Sequence, residues 1–167
     1  AGKIQLTGAL PQVSAEGMVN VLDGKVGKQA FSRGSFFFKT EEEVYLLERA
    51  VLEQNGSRLA AKGKIWPDGA LQLTVIAPEL DLAALTFIPE EQAALLKGKV
   101  AFEGLVGGSL SAPVVMGELA SEKMEYGKFI FENLAGSITF EDNILALTAF
   151  QLEWLGAKAQ AAGELLW

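Results

Sequence analysis

Two acidic clusters are grouped in a way that suggests catalysis, Glu41-Glu42-Glu43 and Glu141-Asp142. Paired carboxylates serve glycosidases as acid and nucleophile, and hard cations such as calcium need the same oxygen donors. Neighbouring residues on a turn point in different directions, however, and each cluster falls between two strand-like segments of a chain that is acidic throughout. That is the composition of a solvated hairpin tip. Composition closes off most other chemistry. The 167 residues include no histidine and no cysteine. A Ser-His-Asp relay, a histidine base, thiolate chemistry, disulfides and the usual zinc sites are therefore excluded. Gly107-Gly108-Ser109 lacks the Lys-Ser or Lys-Thr that a phosphate-cradling loop requires and reads as a turn. Asn55-Gly56-Ser57 has the form of a glycosylation acceptor, but Asn-Gly ahead of alternating residues is better explained as a two-residue hairpin turn. No enzyme activity, cofactor or metal is expected.

The partner classes narrow in the same way. Half of the residues are hydrophobic, the net charge is -7 and the isoelectric point is about 4.7. Lys and Arg are scattered singly and form no basic stripe that could displace counterions from phosphates, so nucleic acid is not an expected partner. No apolar run reaches the length of a membrane-spanning helix. The chain opens directly into strand-like sequence, and the expectation is of a fragment whose targeting signal lies elsewhere.

The elements follow from spacing. At a displacement of roughly one hundred residues the chain repeats its own punctuation: Gly17 falls on Gly117, Gly27-Lys28 on Gly127-Lys128, Phe31 on Phe131, Leu47 on Leu147, and Gly56, Ala61 and Gly63 on Gly156, Ala161 and Gly163. What recurs is a backbone plan, not a chemical site. Alternation is the dominant period. Leu59, Ala61, Gly63 and Ile65 alternate with Arg58, Ala60, Lys62 and Lys64, and Ala157, Ala159, Ala161, Gly163 and Leu165 repeat the pattern against Lys158, Gln160 and Glu164. Asp23-Gly24, Asn55-Gly56, Pro67-Asp68-Gly69 and Asp142-Asn143 predict turns between antiparallel strands. One segment departs from alternation. Pro89 to Lys97, with Glu90 and Glu91 at its start and Gly98 as a left-handed stop, predicts a short helix near residues 89–97. The organisation expected is a first β-repeat over 1–78, a connector with its helix over 79–97 and a second β-repeat over 98–167.

The second copy carries a resemblance. Gly98-Lys99-Val100 through Gly107-Gly108-Ser109-Leu110-Ser111-Ala112-Pro113-Val114-Val115-Met116-Gly117-Glu118-Leu119 resembles the G-x-L-x-x-P-x-V-x-G-x-L phrase of the AsmA-like bacterial envelope proteins, and within them the TamB branch. Tyr126-Gly127-Lys128, the stretch Phe131 to Ile138, Asn143 to Leu147 and Gly156 to Leu165 continue the similarity, and Asp81-Leu82-Ala83-Ala84-Leu85 is like the connector of that family. In the first copy, Pro11 to Gly17 keeps only an approximate version of the phrase. The resemblance implies an all-β fold: a strongly curved antiparallel sheet, a β-taco or half-pipe groove built from two tandem repeats with one short connector helix. It also implies a periplasmic location with the full-length chain anchored in the inner membrane. Phospholipid or fatty acyl chains conducted between the two membranes, and an outer-membrane β-barrel partner, are the implied ligand and partner.

Physical chemistry selects the lining. Moving a fatty tail out of a bilayer loses about 0.8 kcal/mol per methylene, and a charge facing the tail would cost several kcal/mol unless paired. The expected lining is Leu59, Ile65, Leu71, Leu73 and Val75, joined by Ile4, Leu6, Phe36, Phe38, Val100, Phe102, Phe129, Phe131, Ile138 and Phe140. Around Leu47 and Leu147 the adjacent charges Glu48 and Arg49 leave the facing ambiguous, and Leu47, Leu145 and Leu147 are assigned inward. Phe36-Phe37-Phe38 puts rings on both faces, for which a thicker core is the plain explanation. Two other readings remain: a closed structural β-sandwich that binds no lipid, and a chaperone for outer-membrane β-barrel proteins that holds a strand at its edge. Open edges also make edge-to-edge self-association a hazard.

Overall fold

The period-two segments resolve, in a computed structural model, into strands that follow one another in chain order across one open antiparallel sheet. The model describes residues 2–9, 12–26, 29–41, 44–85, 90–109 and 111–166. The strands are β1 (Gly2–Ala9), β2 (Gln12–Val26), β3 (Gln29–Glu41), β4 (Val44–Gln54), β5 (Ser57–Ile65), β6 (Leu71–Asp81), β7 (Leu96–Gly108), β8 (Pro113–Tyr126), β9 (Phe129–Glu141), β10 (Ile144–Trp154) and β11 (Ala157–Leu166). Each is hydrogen-bonded to the strands before and after it, and the sheet curls without closing β1 onto β11.

The tight turns use left-handed backbone. Asn55 and Gly56 have φ of 49° and 80°, Asp142 and Asn143 of 50° and 64°, and Leu155 and Gly156 of 51° and 78°. Two consecutive positive φ values match the right-handed twist of the strands they join. At Pro67-Asp68-Gly69 the turn is closed by Gly69 N–H on the Trp66 carbonyl at 2.9 Å and Trp66 N–H on the Ala70 carbonyl at 3.0 Å. Asp23-Gly24 forms no turn. Strand β2 runs through it, with Leu22 opposite Arg33 and Gly24 opposite Phe31, and Asp23 at φ 54° is an irregularity inside a long ladder. Turn chemistry is local, and ten printed pairs with β3 outweigh it.

The connector also differs from expectation. The α-helix α1 is limited to Glu90–Ala93. Leu96, Lys97 and Gly98 pair with Tyr126, Glu125 and Met124, so the expected C-terminal cation and glycine stop belong to β7. A helix of one turn is marginal, and pairing with β8 satisfies those backbone groups outright. Pro89 lies outside the described residues. A single 3₁₀ turn, Leu82–Ala84, follows β6, capped by the Asp81 carboxylate accepting from Ala83 N–H at 3.0 Å, and Leu82 is tucked in at 5 % exposure. The sheet does not break here, because β6 pairs directly with β7 from Leu73↔Val106 to Asp81↔Lys99.

The internal repeat is visible in the strand limits. Gln29–Glu41 is matched by Phe129–Glu141 and Val44–Gln54 by Ile144–Trp154. Even the defects repeat: the β4–β5 ladder slips between Leu47 and Ala50, and the β10–β11 ladder between Leu147 and Phe150. Strand β6 extends past the expected repeat boundary at 78, and β7 begins at Leu96, before 98.

A single curled layer leaves much surface uncovered. The solvent-accessible area is 11157 Å² for a 17.8 kDa chain. A compact globular protein of that mass exposes about 8,000 Å². The strand contacts are concentrated between sequence neighbours.

Candidate functional site

Antiparallel partners share a face of the sheet, so the register can be followed from strand to strand. One row runs Ile4, Gly17, Phe38, Leu47, Gly63, Leu73, Val106, Val115, Phe140, Leu145, Leu165. The next row on the same face runs Val19, Phe36, Ala50, Ala61, Val75, Gly104, Gly117, Ile138, Leu147, Gly163. Flanking pairs extend this face: Ile65 with Leu71, Leu52 with Leu59, Phe102 with Ala77 and Leu119, Val100 with Leu80, and Leu6 with Ala15. Phe129 pairs with Tyr126 and Phe131 with Met124. The Phe129 ring also meets Trp154 edge-on at 6.1 Å.

This is the inner face of the curl. Curvature shelters side chains on the concave side and splays those on the convex side. Phe31, Ala50, Val75, Ala77, Val100, Leu134 and Phe150 are all buried, and each belongs to the face just traced. Met18, Leu22, Ile76, Leu105, Met116 and Ile144 belong to the opposite face and are exposed. The two faces differ most in charge. Glu103 pairs with Glu118, Leu46 with Lys64, Arg33 with Glu53 and Glu53 with Arg58, all on the outer face. None of the paired Asp, Glu, Lys or Arg residues falls on an inner-face row.

The outer charges pair among themselves. Lys39 Nζ lies 2.6 Å from Glu41 Oε1 and 3.4 Å from Glu48 Oε1, and Lys99 Nζ lies 3.1 Å from Glu79 Oε2. The Glu41 hydrogen bond, with help from Glu48, raises the Lys39 pKa above its ordinary value. Glu41, Glu141 and Asp142 are exposed strand ends and turn residues, whereas Glu42 and Glu43 lie outside the described residues. Among the described residues no three carboxylates converge as a metal site.

Two serines are the polar groups drawn deep into the structure. Ser57, 4 % exposed, accepts the Asp81 N–H at 2.8 Å and so secures β6 just after its Ala77/Leu80 irregularity. Ser121, 7 % exposed, sits 2.7 Å from the Lys99 carbonyl and 3.0 Å from that of Lys123. Both bind backbone across strands and are structural.

Sequence reasoning passed over Phe31 and Phe150, the two most deeply buried aromatics. Simple alternation from Phe36 would put Phe31 on the outer face. The backbone irregularity around Asp23 and Ser32 turns it inward, where its ring stands 6.3 Å from that of Phe36 and fills the space that side chains at Gly24 and Gly34 would need. Ala149, at φ 54°, does the same for Phe150. The available signal was the recurrence of Phe31 at Phe131, not the period. Val19, Val21, Ala77, Val106 and Val115 were also missed, and the alternation of their own strands could have found them.

The arrangement offers no nucleophile, acid or base on the inner face. What it offers is a continuous uncharged apolar surface that runs across every strand. The chain matches no protein family, no curated protein and no solved structure.

Proposed function

We propose that this chain is a periplasmic segment of a bridge-like envelope protein of the TamB and AsmA-like kind, and that its inner face conducts phospholipid acyl chains between two membranes. The observation that carries the reading is the absence of charge from the inner rows, set against the charged pairs of the outer face. A fourteen-carbon tail leaving a bilayer needs on the order of 10 kcal/mol returned by what receives it. A solid sandwich would have filled this surface with its own side chains. The excess of about 3,000 Å² over a compact chain is what an open, unfilled trough leaves. The role is non-catalytic: the protein lowers the cost of exposing lipid to water and makes no bonds. The outer-membrane β-barrel partner belongs to the same proposal and rests on the resemblance.

Native mass spectrometry of protein purified from membranes, with lipid extraction, tests it. Phospholipid should accompany the native chain, and Leu73→Glu and Phe140→Lys should each remove it while far-ultraviolet circular dichroism stays β-rich. Thr74→Glu, one residue away on the outer face, should retain it. Equal lipid content in all three variants would overturn the proposal. So would photo-crosslinks at Leu73 that capture polypeptide in place of lipid, which would favour the chaperone reading.

A further inference from the structure

The two repeats end differently, and the difference exposes a docking edge. Strands β5 and β11 occupy equivalent places: each follows a two-residue turn, and each pairs with its predecessor across the same slip. On its other side β5 receives β6, with Ala61 opposite Val75, Gly63 opposite Leu73 and Ile65 opposite Leu71. The outer side of β11 has no partner among the described residues.

Glycine 63 shows what that neighbour demands. It lies at φ 149°, and a methyl group there would collide with the Gln72 carbonyl oxygen and stand 2.8 Å from the Leu73 Cα. The approach of the β6 backbone is therefore what requires glycine at this place. Gly163 holds the corresponding position, opposite Leu147 as Gly63 is opposite Leu47. Its φ is outside the left-handed region, and no described atom lies within 4 Å of where a Cβ would stand. Nothing within the chain requires glycine at 163, although a glycine in a strand costs about 0.5–1 kcal/mol relative to alanine.

We infer that the free edge of β11 is a strand-acceptor site. Its occupant is one antiparallel polypeptide strand of the β6 type, which seats its backbone against Gly163 as β6 does against Gly63. The chemistry of that strand follows from β6: branched apolar residues facing the trough, as Leu71, Leu73 and Val75 do, separated by polar residues such as Gln72 and Thr74. The bound strand imposes on Gly163 the backbone of Gly63, so alanine is excluded by conformation and by contact together. The inference stands apart from the lipid proposal, because it rests on backbone pairing and not on what fills the trough.

The probe is a fluorescently labelled synthetic peptide of residues 71–81, titrated by anisotropy against the whole chain, with hydrogen exchange to locate it. The amides of β11 should gain protection, and Gly163→Ala should weaken binding by at least about tenfold, the effect of an overpacked contact. The thermal midpoint of that variant should stay where it is, since the added methyl meets open space in the free protein. Four results would each overturn the inference: equal binding by Gly163→Ala, equal binding by a scrambled peptide, protection at β1 in place of β11, or β11 already protected in a dimer of the chain without peptide.

Discussion

Gly136 and Phe150 show how closely neighbouring strands are fitted on the inner face. A methyl at 136 would stand 2.7 Å from the Phe150 Cα, and the ring itself is 5 % exposed. Phe150→Ala should therefore lower stability by about 3 kcal/mol, as large-to-small changes at buried aromatics do, read by chemical denaturation. Ser57→Ala should cost about 1–2 kcal/mol, because it leaves the Asp81 N–H in a sheltered place without its acceptor. Lys39 belongs to a different class. Its pKa is raised in the folded state, chiefly by the Glu41 hydrogen bond, so the pairing contributes below the ordinary lysine pKa and is lost as pH rises through the raised value. Lys39→Gln should leave the thermal midpoint near neutral pH almost unmoved and alter only the strongly alkaline limb of a stability profile, since the group is open to solvent.

At the scale of elements, the turns carry the clearest prediction. Leu155 occupies the place of Asn55 in the other repeat, at φ 51° and 88 % exposed, a backbone that leucine adopts with strain. Leu155→Asn should raise stability by about 1 kcal/mol, measured as a higher thermal midpoint, because asparagine tolerates this conformation. The same comparison explains what could be read from sequence. Strands such as Ser57–Ile65 were legible because one wet face and one apolar face impose strict alternation. Asp23-Gly24 misled because its turn propensity is local, whereas the ladder it interrupts extends on both sides. Pro89 to Gly98 misled for the same reason: good helix ends lost to pairing between Leu96–Gly98 and Met124–Tyr126. The facing of Leu47 and Leu147 was not legible, since it depends on slips that only the register reveals.

For the whole molecule, the absence of a second layer has a measurable outcome. A compact chain of this length has a radius of gyration of about 15 Å. Small-angle scattering should give a clearly larger value, and a result near the compact figure would mean that the trough has closed. The strictly sequential strand order also bears on how the molecule comes apart. Every ladder joins segments adjacent in the chain, so loop closures are short and assembly can zip forward from either terminus without threading. Drawn from its ends under mechanical tension, such a meander would peel one hairpin at a time, giving a sawtooth of small ruptures where a closed sandwich would yield in one.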